Sequence, residues 1–300
     1  MTKAISNHAR RTYFNNPLVL ESLQHLPAAL EYPDSNSFRA HLVDHLHFNS
    51  ENTRRRMAGY IANRFSLDGV INLDLARAIQ RFGDSQIGRE ILYFEYIQGI
   101  PLLQEIAVRW LAELPEQGTD RTSFIGFLEM ILGGRSVKKV SKDVTLTFKR
   151  FGKLSSPKRS YYCPVWTEPP LEAFLYVLAR LYPERTMVRV EMFINENVVR
   201  AMLWPASSIP ELLKEAEKSG HVSKISHLDQ YHQFTLSAPG PERMDMLLGD
   251  TFKVEKSEDL LSTEGKSGQE KVTVDQQLEL FETKLKTKRK TRRRKKSHGG

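Results

Sequence analysis

Apolar residues recur at three- and four-residue intervals from Ser37 to Leu132, which predicts a continuous series of helices. FRAHLVDHLHF forms one. A second runs from Glu51 and places Met57, Ile61 and Phe65 at i, i+4 and i+8. LDLARAIQRF stops at Gly83, and IGREILYFEYI stops at Gly99, a residue suited to the left-handed position after a helix. Pro101 fits the first turn of PLLQEIAVRWLAEL, whose Leu103, Ile106, Trp110 and Leu114 share a face. SFIGFLEMIL closes the bundle before Gly133-Gly134. Residues 1–34 read as a loose arm with one short helix near Leu18 to Leu26.

Two patterns compete in SVKKVSKDVTLTFKRFGKLSSPKRSYY, residues 136–162. Val144, Leu146 and Phe148 alternate at period two, as in a strand. Val140, Val144, Phe148 and Phe151 are spaced 4, 4 and 3, as in a helix. The helical pattern is longer and punctuated at both ends, with Ser141 near the start, Asp143 in the first turn and Gly152 as the stop. It is preferred, with SSPK as a turn and RSYYCPVW as a short strand after it.

A second unit follows. PPLEAFLYVLARLYP predicts a helix, and VEMFINENVVRAMLW another, weakened in its middle by Asn195 and Asn197. Ser208 and Glu211 predict a capping box opening a helix that ends at Gly220. VSKISHLDQYHQFTLS predicts a β-hairpin, and three helices followed by a hairpin is the winged-helix order. Beyond Ser237 aromatics fall to Phe252 and Phe281 while Gly, Ser, Glu and Lys dominate, the composition of a disordered tail, interrupted by VDQQLELFETKL. The expected fold is mainly α: two helical lobes of winged-helix-like character (helix-turn-helix plus β-hairpin) and a disordered basic C-terminal tail. The boundaries expected are arm 1–34, first lobe 35–165, second lobe 166–237 and tail 238–300.

Charge changes this picture locally. The formal net charge is +8. Lys284–Lys296 alone holds ten Lys or Arg and no acid, and without those ten the remainder carries 34 cations against 36 acids. Nine cations and one acid also crowd Arg135–Arg159. Basicity confined to chosen places points to a polyanionic partner. The single Cys163 excludes an internal disulfide and fits a reducing compartment. The opening MTKAISNHARRTYFNN has no apolar core of signal-peptide length, and no window reaches the apolar length of a membrane span, so a cytoplasmic protein is expected.

Residues 36–237 resemble the BrxA-like proteins of bacteriophage-exclusion (BREX) defence islands. The segments carrying the resemblance are FRAHLVDHLHFNSENTRRRMAGYIANRF, ILYFEYIQGIPLLQEIAVRWL, SKDVTLTFKRFGKL and VRVEMFINENVVRAMLW with LLKEAEKSGHVSKISHLDQYHQFTL. The resemblance implies a two-lobed, mostly helical protein that binds DNA within a multi-protein antiphage system. The arm and tail lie outside it.

The candidate DNA-binding residues follow from the charge clusters. Lys142, Lys149 and Arg150 on the basic helix, extended by Lys138 and Lys139, and Lys153, Lys158 and Arg159 in or beside the turn suit phosphate contact from helix and wing together. The alternative is a solvated basic face with no partner. Arg54, Arg55 and Arg56 point around most of a helix, so only one or two can meet phosphate. Lys288, Arg289, Lys290, Arg292, Arg293, Arg294, Lys295 and Lys296 would grip nucleic acid without reading sequence. The helix PELLKEAEKSG of the second unit has three Glu against two Lys and suits a protein partner better.

Gln277, Leu278, Leu280 and Phe281 in QLELF resemble the pentapeptide by which bacterial repair and replication proteins bind the sliding clamp, with Glu279 departing at the third position. The competing reading is an amphipathic helix that packs on the protein's own body. His41, Asp44 and His45 share a helix face, but Leu42 stands where a zinc-protease motif needs Glu. A hydrolase at that face is a third, weaker reading. No phosphate loop, nucleophile elbow or paired-carboxylate motif occurs. No enzyme activity, cofactor or metal is expected. The function expected is a non-enzymatic DNA-binding accessory protein of an antiphage system. Its partners would be double-stranded DNA bound largely without sequence preference, other proteins of that system and the sliding clamp, and no membrane. The alternative is a scaffold whose tail alone binds nucleic acid.

Overall fold

The structure is a computed structural model and describes residues 17–133, 137–228 and 231–249, all within one compact unit, Met1–Thr251. It is mainly α, with thirteen helices and three small antiparallel sheets among the described residues. No helix among them is long and apolar enough to cross a membrane.

The opening bundle contains α1 (Val19–His25), a 3-10 turn (Leu26–Leu30), α2 (Ser35–His45), α3 (Glu51–Arg64), α4 (Leu73–Phe82) and α5 (Gln86–Gly99). A two-residue hairpin, β1 (Ser66–Leu67) with β2 (Val70–Ile71), joins α3 to α4. Side-chain caps explain why these helices begin where they do. Asp34, Ser50, Asn72 and Ser85 each accept a hydrogen bond from the backbone N–H three residues on, filling a donor the helix leaves open. The short helix expected near Leu18 to Leu26 is α1, but residues 17–34 around it are not a loose arm: Leu18, Val19, Leu23, Leu26 and Ala29 are buried in the core.

Two units of one topology follow. The first comprises α6 (Pro101–Ile106, continued by a π-turn over Ala107–Leu111), β3 (Thr119–Asp120), α7 (Arg121–Leu132), α8 (Val137–Arg150), β4 (Leu154–Ser155) and β5 (Tyr161–Pro164). Its sheet order is β3-β5-β4, with Thr119 opposite Tyr162 and Leu154 opposite Pro164. The second comprises α9 (Leu171–Leu181), β6 (Met187–Arg189), α10 (Val190–Asn195), α11 (Asn197–Ala201), α12 (Ile209–Lys218), β7 (Val222–Leu228) and β8 (Tyr231–Leu236). Its sheet order is β6-β8-β7, with Val188 and Ile225 both opposite Phe234. In each, the strand between the first two helices pairs with the second strand of the hairpin, which is the winged-helix arrangement.

The basic segment is helical, as the longer pattern predicts, and Val140, Val144, Phe148 and Phe151 are all buried. The helix opens earlier than expected, however. Val137 is already helical, so Ser141 is buried mid-helix and Asp143 lies in the second turn, half-buried. Burial raises the Asp143 pKa against the opposing pull of Lys139 and Lys142. The expected helix of VEMFINENVVRAMLW breaks at Glu196, between its two asparagines. The capping box at Ser208 does not form: its hydroxyl bonds the Glu168 carboxylate instead, and Glu211 pairs with Lys214 at 2.9 Å.

Helix α5 carries the second unit on the opening bundle. Ile91 to Ile97 are all buried. Tyr93 donates to the Ala201 carbonyl at 3.0 Å, and Glu95 accepts from the Tyr176 hydroxyl at 2.8 Å and from Arg180 at 3.0 Å. The apolar core therefore runs across the expected 165/166 boundary without a break. The tail boundary at 238 is corrected as well. Gly240–Leu248 form α13, with Met244, Leu247 and Leu248 buried and Arg77 of α4 bonded to Asp245 at 2.7 Å. Its nine residues are diluted by the polar composition of the segment around it.

Candidate nucleic-acid interface

The first winged unit builds a cationic cleft from three separate elements. Tyr162 of β5 anchors it, buried edge-on against Trp110 (6.1 Å between ring centroids) and Phe124 (5.9 Å). Gly118, at φ +80°, lets the chain enter β3 beside this strand: a Cβ there would lie 2.2 Å from the Tyr162 carbonyl oxygen. Asp120 caps α7 by accepting from the Ser123 N–H at 2.9 Å, and that bond holds its carboxyl below the ordinary carboxylate pKa. Arg121, the first residue of α7, donates its N–H to the Ser160 carbonyl at 2.8 Å and so ties the wing turn to the helix start. Lys149, at the end of α8, lies over the Tyr162 ring with its ammonium 5.7 Å from the centroid, within cation–π range.

These residues enclose a cleft of about 400 Å³ lined by Arg121, Lys149, Ser156, Pro157, Lys158, Arg159, Ser160 and Tyr162. Four of the eight are cations and none is a carboxylate. At about 100° per residue, Lys138, Lys139, Lys142, Lys149 and Arg150 fall within about one third of the α8 circumference. All five are exposed, and the opposite arc is buried. Lys149 belongs to both sets and joins the helix stripe to the cleft. Exposed cations can displace condensed counterions from a phosphate backbone. Contacts from such cations to phosphate position a duplex without reading its sequence.

Lys153 does not belong to this surface. Its side chain is fully buried, and its ammonium bonds Glu90 Oε1 at 2.6 Å, Glu90 Oε2 at 2.9 Å and Thr167 Oγ1 at 2.7 Å. Burial lowers its pKa, with Glu90 opposing the shift. Its DNA-binding role is withdrawn: Gly152 turns the chain at φ +71°, and Lys153 is drawn into the core next to it. Arg150 remains exposed but lines a small cleft with residues 17–21 and not the cationic cleft. Of the three arginines on α3, Arg54 donates to the carbonyls of Val43 at 3.0 Å and Phe48 at 2.9 Å and serves the α2–α3 turn. Arg55 pairs with Glu51 at 2.5 Å, Arg56 is exposed, and none of them lines the cleft. Arg121 was missed because it stands 28 residues before Lys149 in sequence. Its available signal was the Asp120-to-Ser123 capping pattern, which places it at a helix start.

Gln277, Leu278, Leu280 and Phe281, and the cations Lys288, Arg289, Lys290, Arg292, Arg293, Arg294, Lys295 and Lys296, lie outside the described residues. No group of three or more potential metal ligands occurs among the described residues. His41 and His45 instead stack, with centroids 4.1 Å apart, and Tyr32 stacks on His41 at 5.0 Å. Burial, with nearby His41, His45 and His47, lowers the His25 pKa. Burial and His45 lower that of His41 against Glu31 and Asp44, and burial with Arg243 lowers that of His221. The unfolded chain, with histidines near the usual value of about 6.5, then binds more protons than the fold. Stability is full above that value and falls as the pH drops towards the lowered folded pKa values. Thermal melts are expected to show Tm falling steadily from about pH 7 to about pH 5. A flat profile across that window contradicts the assignment of these histidines as neutral in the fold.

No family model and no curated protein matches the chain. Among solved structures, two crystal structures of SspB, one with magnesium ion bound, are similar at a TM-score of 0.47. They share 10% and 12% sequence identity over 80% and 81% of this chain and 89% of each SspB chain. A likeness at that level carries no argument here.

Proposed function

We propose that the protein is a non-enzymatic DNA-binding component of an antiphage system, gripping the duplex backbone through the first winged unit. The carrying observation is the cleft of about 400 Å³ whose lining has four cations and no carboxylate, continuous with the cationic stripe of α8. The wing and the start of α7 would take one strand's phosphates while α8 faces the groove. The resemblance of residues 36–237 to BrxA-like proteins agrees with this reading. The basic run 284–296 would add nonspecific affinity, and QLELF would recruit the protein to the sliding clamp.

The second winged unit favours a scaffold reading for its own half of the molecule. Its α12 has an acidic majority, and α10, α12 and the β7–β8 hairpin border a mostly apolar cleft of about 670 Å³. Truncation after Thr283 separates the two readings by fluorescence anisotropy on a short random-sequence duplex. The proposal expects the truncated chain to keep duplex binding at low salt. Complete loss would assign nucleic-acid binding to the tail alone.

A further inference from the structure

Trp166 is 44% exposed in the segment that joins the two winged units, whereas Trp110 and Trp204 are 5% and 4% exposed. It borders an open cleft of about 240 Å³ with Ile194, Asn195, Val199, Arg200 and Trp204. The indole N–H of Trp204 is taken up by Glu90 at 3.0 Å. Asn195 is the exposed last residue of α10, and its amide has no partner among the described residues. Arg200 is held beside the cleft by Glu113 at 2.6 Å, a solvent-exposed pair. Such pairs contribute little, so the guanidinium can exchange this partner for a phosphate at small cost. An exposed ring for stacking, an amide able to meet a base edge and a cation for the backbone are the parts of a single-strand binding site.

Its place relative to the wing gives the slot a context. Trp166 follows Tyr162 of the cationic cleft by four residues, a span of at most about 14 Å. That is about four base steps of rise along the axis of a duplex. The Val165 N–H donates to the Lys153 carbonyl at 3.1 Å, which fixes this segment to the base of the wing.

We infer that the Trp166 cleft stacks an unpaired DNA base next to the duplex held by the first winged unit, so that the protein prefers a junction of duplex and single strand. This rests on the proposed duplex binding and adds a second, sequence-tolerant contact. Stacking on one aromatic ring is worth about a tenfold gain in affinity.

The test uses the full chain with two probes, a blunt duplex and the same duplex carrying a short oligothymidine tail. Anisotropy gives affinity, and tryptophan emission reports on Trp166, the exposed indole among the three. The inference expects the tailed duplex to bind about tenfold tighter and to quench emission. Trp166→Ala should abolish both differences and leave blunt-duplex affinity unchanged, and Trp166→Phe should retain part of the preference. Equal affinity for the two probes, or a tail preference that survives Trp166→Ala, overturns the inference while leaving duplex binding intact. Absence of blunt-duplex binding overturns the proposed function instead.

Discussion

Lys153→Met is expected to cost more stability than any other substitution among the candidate DNA-binding residues of the fold. The Lys153 ammonium sits between both oxygens of Glu90 and the Thr167 hydroxyl, and Glu90 also accepts from the Trp204 indole at 3.0 Å. These four residues come from α5, the base of the first wing, the joining segment and the second winged unit. Removing the ammonium leaves a buried carboxylate without its counter-charge. Breaking a buried pair in this way costs about 3–5 kcal/mol. For a chain of this size that is a fall in Tm of about 6–20 °C. Lys149→Met, four residues away but exposed, should change stability by less than about 0.5 kcal/mol. Replacing both Lys153 and Glu90 by Met should recover part of the loss, because the uncompensated charge is then gone. Equal melting of the Lys153 and Lys149 variants would show that the network does not hold the two units together.

The largest effect on binding is expected from reversing the cleft. Lys149→Glu, Lys158→Glu and Arg159→Glu together remove three phosphate contacts and place three like charges against the backbone. In water each contact and each repulsion is worth about 1 kcal/mol at contact distance. The sum of about 3–6 kcal/mol corresponds to a loss of about 10²–10⁴ in duplex affinity. All three side chains are exposed, so Tm should stay within about 2 °C of the parent. Retained affinity in this variant would exclude the cleft as the contact surface.

Much of this fold was legible in the apolar periodicity, and the exceptions have physical causes. The basic segment could be assigned because Val140, Val144, Phe148 and Phe151 mark one buried face of a helix. Strands β3 and β6 escaped because two or three residues cannot display a period, and their pairing with β5 and β8 is fixed only by tertiary contact. Helix α13 escaped because it buries a few apolar side chains within a polar surrounding, and of residues 17–34 the short helix was legible but the burial of the segment around it was not. The candidate site was half legible. Charge density located Lys149, Lys158 and Arg159. It misplaced Lys153, because sequence counts charges without distinguishing a solvated ammonium from one enclosed by Glu90. Arg121 and Tyr162 complete the cleft through sheet pairing, which charge density does not reveal.

The salt dependence of duplex binding by the chain truncated after Thr283 tests the role of the first winged unit most directly. Four cleft cations, with Lys138, Lys139 and Lys142 beside them, predict a slope of about −3 to −6 for log affinity against log salt. The triple reversal should remove about 3 from that slope. A slope near zero, or one that the reversal leaves unchanged, would contradict a phosphate grip built from α8 and the wing.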